Sequence, residues 1–326
     1  MGHQVLYQPC CQAGPYDRPP GESRIGWPLK LPEVNWDTHS LLVLQCYDFL
    51  TIRNNQCLEL EVIERFYKEK SNRVVVVHWE YDLDQFYSGP LNLAYFPCHS
   101  MQLIDDIVNN KNYWEPFLNF EKPMPWQCLN GRKAPHRQSV VDLLLSKLNL
   151  EPSTGILGYA DRNPLSQWPY STYAGTENFE NWIRLLDIYN RCSINIVTET
   201  VYVNPTGIIT EKTLLAFASL QVPLVIGYQG IVSHCEKLGF DMFSDVIDIT
   251  HDSYDNTDRH MHAIEKNSQL LSTGVNAKHL QSRLQSNQQW LLYHWPEKLV
   301  NDYNTRAADI HSSLTNGEDR HTAQPS

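Results

Sequence analysis

The chain is short of charge. Only 19% of its 326 residues are Asp, Glu, Lys or Arg, and the 26 basic residues are outnumbered by 37 acidic ones, giving a formal net charge of −11. That balance argues against nonspecific nucleic-acid binding, which needs a positive field, although it leaves room for a local basic groove. Long apolar runs are missing too. Its runs, such as that at 74–77, are far below the ~20 residues that span a bilayer, and the first residues, Met1-Gly2-His3-Gln4, lack the basic and apolar regions of a secretory signal. No CxxC pair occurs among the 8 cysteines, and the adjacency of Cys10 and Cys11 disfavours a zinc site. The thiols therefore read as reduced and the protein as cytoplasmic. No solenoid-like repeat is found.

What is present is a globular composition, 42% apolar with 9 Trp and 17 Tyr, on a length that suits two domains. Residues 1–35, rich in Pro and Gly, are expected to wrap a surface. Segments 41–46, 73–79 and 92–96 read as buried strands. Residues 58–70 read as a helix, with Leu60, Val62, Ile63, Phe66 and Tyr67 at helical spacing, and 103–114 as another. After a linker at 120–125 the β/α alternation is cleaner. Strands are expected at 126–129, 155–158, 193–200 and 223–227. Helices are expected at 135–148 (Val140, Val141, Leu144, Leu145 and Leu148 inward), 178–190, 210–220, 231–238, 260–272 and 277–301. This pattern predicts an open α/β sheet that binds ligands at the carboxyl ends of its strands.

Two segments carry chemistry. Asn130-Gly131-Arg132-Lys133-Ala134-Pro135-His136-Arg137 places cations at a helix N-terminus. The helix dipole disfavours them there unless an anion joins them. Lys133 and Arg137, four residues apart, repel unless something bridges them; a solvated basic helix start is the alternative reading. In Thr210-Glu211-Lys212, Thr210 suits an N-cap. Glu211 can accept bonds from vicinal ribose hydroxyls and Lys212 can neutralise a phosphate, although such a pair also serves as a plain helix start. In the first half, Glu80, Asp82 and Asp48 each follow a strand, where a general base could stand, or where ordinary loop acids stand. His78 reads as a satisfied core residue. Asp82-Leu83-Asp84 also matches an Asp-x-Asp metal motif, which the downstream segments do not support.

The stretch Thr198-Glu199-Thr200, then Ile209-Thr210-Glu211-Lys212, a helix and Val222-Pro223-Leu224-Val225-Ile226-Gly227 resembles the donor-binding segment of the α1,3-fucosyltransferases. Their pattern is Phe-Glu-Asn, a loop, Tyr-(Val/Ile)-Thr-Glu-Lys, a helix and Val-Pro-(Val/Ile)-x-x-Gly. A closer likeness is to uncharacterised, often phage-encoded, glycosyltransferase-like proteins that continue as Leu238-Gly239-Phe240-Asp241-Met242-Phe243 does here. The likeness covers roughly residues 126–260. Thr-Glu-Thr replaces Phe-Glu-Asn and Ile208 replaces the tyrosine, departures at positions that contact base and sugar.

The resemblance implies an α/β fold of two Rossmann-like domains of GT-B type with an interdomain cleft. It divides the chain into an acceptor-side domain at 1–122, a nucleotide-sugar domain at 123–275, a helix at 276–304 packing back across the domains, and a flexible tail at 305–326. It implies an inverting, metal-independent glycosyltransferase with no cofactor beyond a UDP- or GDP-linked sugar donor. Asn130, Arg132, Arg137, Glu199, Thr210, Glu211 and Lys212 would bind the donor, and Glu80 or Asp82 would act as base. The acceptor could be a glycan, a small molecule, a protein or a modified base in phage DNA, in the host cytoplasm if the protein is phage-encoded. A non-catalytic nucleotide- or glycan-binding protein is the competing reading, and an interaction protein that has merely inherited the fold is a third.

Overall fold

The computed structural model describes residues 4–11, 31–46, 52–53, 56–130, 134–148, 155–159, 188–200, 202, 207–254 and 258–321. The chain is α/β and divides into two compact units, one made of Met1–Cys98 with Glu297–Ser326, the other of His99–Pro296.

Unit 1 holds a four-stranded parallel sheet in the order β1 (Gln4–Cys11), β2 (His39–Cys46), β5 (Val74–His78), β6 (Asn92–Tyr95). A two-stranded hairpin, β3 (Ile52–Arg53) and β4 (Gln56–Cys57), precedes helix α1 (Leu58–Tyr67). The run Val74-Val75-Val76-Val77 is buried at every position, as expected of a parallel strand covered on both faces. One face packs Leu42, Leu44, Val74 and Val76 against Leu60, Ile63 and Tyr67 of α1. The other packs Val43, Val75, Val77 and Ala94 against Ile310 and Tyr303.

Both of those last residues belong to the helix Trp295–His321. A mobile tail was expected from residue 305, but the helix runs on because Tyr303 and Ile310 share one face and find the sheet. Residues 1–35 were expected to wrap a surface, yet Gln4–Cys11 forms an edge strand. Pro9 disguised it, and Pro is tolerated there because an edge leaves one side of the strand without ladder bonds.

Unit 2 holds a second four-stranded parallel sheet, in the order β10 (Val222–Ile226), β9 (Cys192–Thr198), β7 (Met124–Asn130), β8 (Ile156–Tyr159). Pro223 again sits on an edge strand. Residues 98–114 were placed in the first domain, but the structure assigns nearly all of them to unit 2. Leu118 and Phe120, which follow, pack on the unit 2 core.

Helix α2 (Pro135–Lys147) lays Val140, Val141 and Leu144 on one face of this sheet with Ala263, Ile264 and Leu271. Leu145, expected inward, is 40% exposed because it falls on the flank of that stripe. The helix Glu211–Ala218 is buried along Thr213–Ala218. The expected helix at 178–190 lies outside the described residues apart from its last turn.

From β7 the chain moves one way to β8, whereas β9 leads the other way to β10. The strand order thus reverses between β7 and β9, the place where open α/β sheets bind ligands at the carboxyl ends of their strands.

Candidate functional site at the strand reversal

The candidate site is built from the ends of β7 and β9 and the starts of the helices beginning at Pro135 and Glu211. Asn130 ends β7. Its side-chain oxygen accepts a hydrogen bond from the Thr198 hydroxyl, and its amide reaches Cys128 Sγ at 3.3 Å. The residue is 3% exposed and clamps the two strands together at their carboxyl edge.

Pro135 occupies the first turn of α2, and the N-cap residue, Ala134, makes no side-chain cap hydrogen bond. His136 and Arg137 follow. The Arg137 guanidinium donates to the Thr198 carbonyl at 3.3 Å and to Thr200 Oγ1 at 3.4 Å. His136 Nε2 donates to the Glu199 carbonyl at 3.0 Å. Its ring stacks on Tyr202 with centroids 4.7 Å apart and planes 4° from parallel. Burial pushes the His136 pKa down to about 4 against the Glu199 bond, and the charges of Arg137, His260 and Lys212 lower it further. The ring is therefore neutral at pH 7.

Tyr202 is itself pinned. Its hydroxyl meets His260 Nδ1 at 3.0 Å, and the Arg259 guanidinium lies 4.8 Å from its ring centroid. Arg259 also donates to the carbonyls of Gly227, Tyr254 and Tyr202.

Glu199, just past β9, has no exposed surface. One carboxylate oxygen accepts from Thr210 N at 3.1 Å and Thr213 Oγ1 at 2.6 Å. The other accepts from Thr210 Oγ1 at 2.5 Å and Thr200 N at 3.3 Å. It braces the turn into the next helix. Thr210 stands at the N-cap position, but its hydroxyl serves Glu199 rather than its own helix.

Lys212 Nζ contacts Glu211 Oε1 at 2.5 Å, Thr210 Oγ1 at 3.3 Å and Thr200 Oγ1 at 3.4 Å. The Glu211 and Lys212 side chains are 27% and 18% exposed. Burial raises the Glu211 pKa, but the charge and hydrogen bond of Lys212 outweigh it and hold the carboxyl below its usual range.

Arg137 and Lys212, 75 residues apart in sequence, thus share the Thr200 hydroxyl as an acceptor. Asn130, Glu199 and Thr210, expected as ligand contacts, spend their polar atoms inside the protein and position their neighbours instead. Arg132 lies outside the described residues. Thr200, His136, Tyr202, Arg259 and His260 were not anticipated as site residues. The folding of distant segments brings them together, and no local motif announces it.

The two expected acids lie in unit 1. Glu80 is fully buried. Asp82 is half-buried and holds a left-handed backbone (φ 58°), which aspartate tolerates better than most residues. Both line a cavity of about 540 Å³ at the carboxyl ends of β5 and β6. Asp48 lies outside the described residues. Among the described residues no group of three or more His, Cys, Asp or Glu side chains could hold a metal ion, and no helix is long and apolar enough to cross a membrane. Comparisons with protein-family models, curated proteins and solved structures find no match to this chain.

Proposed function

We propose that this chain is a GT-B-type glycosyltransferase, its two units Rossmann-like, with unit 2 holding a nucleotide-sugar. The observation that carries the reading is the meeting of Arg137 and Lys212 at Thr200 Oγ1, beside two helix N-termini and at the reversal of strand order. In the structure the Glu211 carboxylate, paired with Lys212 and within reach of the Arg137 charge, balances the two cations. A diphosphate takes over that role and meets the helix N-termini, where anions are favoured. Glu211, released from Lys212 by the incoming phosphate, is placed to accept the ribose hydroxyls.

In the transfer, a carboxylate removes the proton of the acceptor hydroxyl. The acceptor oxygen attacks the anomeric carbon, and the bond to the diphosphate breaks with its electron pair leaving on the nucleotide. Arg137 and Lys212 stabilise that developing charge. Asp82, half-buried in the wall of the unit 1 cavity, is the acid proposed to take the proton. Glu80, without exposed surface, is the weaker candidate, and its burial favours the alternative of a nucleotide-binding protein without turnover.

The test is a thermal-shift screen with UDP, GDP and their sugars. A ligand at a hundredfold its dissociation constant stabilises the fold by about 2.7 kcal/mol. The expected result is a shift with one nucleotide that Lys212→Ala and Arg137→Ala both abolish. No shift with any nucleotide overturns the proposal. Asp82→Asn separates enzyme from binder: nucleotide affinity persists and sugar transfer, followed as nucleoside diphosphate released in the presence of acceptor, is lost.

A further inference from the structure

The unit 1 cavity has a chemistry of its own. Its wall carries Glu80, Asp82 and Asp84 against one cation, Arg306, whose Nε donates to the Leu93 carbonyl at 3.4 Å. A fourth acid, Glu64, stands just behind the wall, accepting a hydrogen bond from the Tyr87 hydroxyl at 2.9 Å. Burial and the charges of Asp82 and Asp84 push the Tyr81 hydroxyl pKa up, so the negative field reaches into the space that Tyr81 borders.

His78 supplies a second, independent observation. It lines the same cavity, is 5% exposed, and hydrogen-bonds the Glu80 backbone. Its Nδ1 has no hydrogen-bond partner among the described residues. Burial lowers the pKa of the ring to about 4, so it is neutral at pH 7. A buried polar atom without a partner is costly, and a ligand hydroxyl, which both donates and accepts, would satisfy Nδ1 in either tautomer.

The rings of Tyr81 and Tyr95 stand edge to face 6.2 Å apart, offering π-surface to a cation. Among the described residues no three of the acids and histidines gather closely enough to hold a metal ion. A bare metal ion therefore fits less well than an ammonium carried on an organic frame. The volume of about 540 Å³ is that of a small-molecule site.

We infer that the unit 1 cavity binds a small hydroxylated amine, of the size and kind of an amino sugar. Its ammonium is held among Asp82, Asp84 and the tyrosine faces, and a hydroxyl hydrogen-bonds His78 Nδ1. The amine's role as acceptor rests on the sugar-transfer reading. The binding itself needs no nucleotide.

The test is calorimetric titration of the full chain at low salt, without nucleotide, using glucosamine, glucose and N-acetylglucosamine. Glucosamine is expected to bind about tenfold or more tightly than the two uncharged sugars, and Asp82→Asn and Asp84→Asn are each expected to weaken it several-fold. Asn is compatible with the left-handed backbone at 82, and Asp84 is exposed, so both variants are expected to fold; circular dichroism checks this. Equal binding of the three sugars, no binding of glucosamine, or unchanged glucosamine binding in both folded variants overturns the inference. Amine binding without any nucleotide-induced shift removes sugar transfer alone; the opposite pair of results removes the amine site alone.

Discussion

At the scale of single residues, Glu199 holds the turn between β9 and the following helix with four accepted hydrogen bonds. Glu199→Gln replaces one acceptor with a donor that faces hydroxyl and amide hydrogens. It is expected to cost about 1–3 kcal/mol in urea unfolding and to weaken nucleotide binding by misplacing Thr200. The buried histidines make a second prediction. His78 and His136 both fall from 6.5 to about 4. Between those values the unfolded chain binds protons that the folded chain refuses, so stability is full above pH 6.5 and is lost as pH falls toward 4. The urea midpoint followed over that range is expected to drop, with a shallower slope in His136→Gln. Among the site residues, Arg137 and Lys212 stood out in the sequence because cations at helix starts oppose the dipole, whereas Glu211 is ordinary there and was noticed only beside Lys212. Glu199 was legible only as an acid after a strand. That it points inward depends on Thr210 and Thr213 arriving from another segment.

Individual elements rest on a few backbone positions. Gly230 (φ 86°) and Gly239 (φ 97°) both have left-handed backbones, but a Cβ at Gly230 meets nothing within 4 Å, whereas one at Gly239 lies 2.8 Å from the Trp290 ring. That ring is anchored through Nε1 to the Leu238 carbonyl at 3.0 Å. Gly230→Ala is expected to cost about 1 kcal/mol, the conformational penalty alone, and Gly239→Ala more than about 2 kcal/mol, measured as denaturant midpoints. Valine-rich β5 and β10 were readable because a parallel strand buried on both faces is uniformly apolar. The edge strand Gln4–Cys11 was not, since half its ladder bonds are absent and Pro9 costs it little.

On the scale of the whole molecule, the segment after residue 297 belongs to unit 1, and Ile310 is 3% exposed against its sheet. Ile310→Ala is therefore expected to destabilise unit 1 by about 2–4 kcal/mol, whereas truncating a solvated tail residue would change nothing; thermal unfolding distinguishes the two. The α/β class and the β/α alternation of the second half were legible from periodicity. The return of the last helix to the first sheet was not, because a polar helix with one narrow apolar face reads like a tail until its target is known. The same topology makes unit 2 an insertion within unit 1. On the ribosome, His99–Pro296 is complete while unit 1 still lacks its closing helix, so the nascent chain carries an uncovered valine face until the final segment emerges, and that interval is when a chaperone would find it.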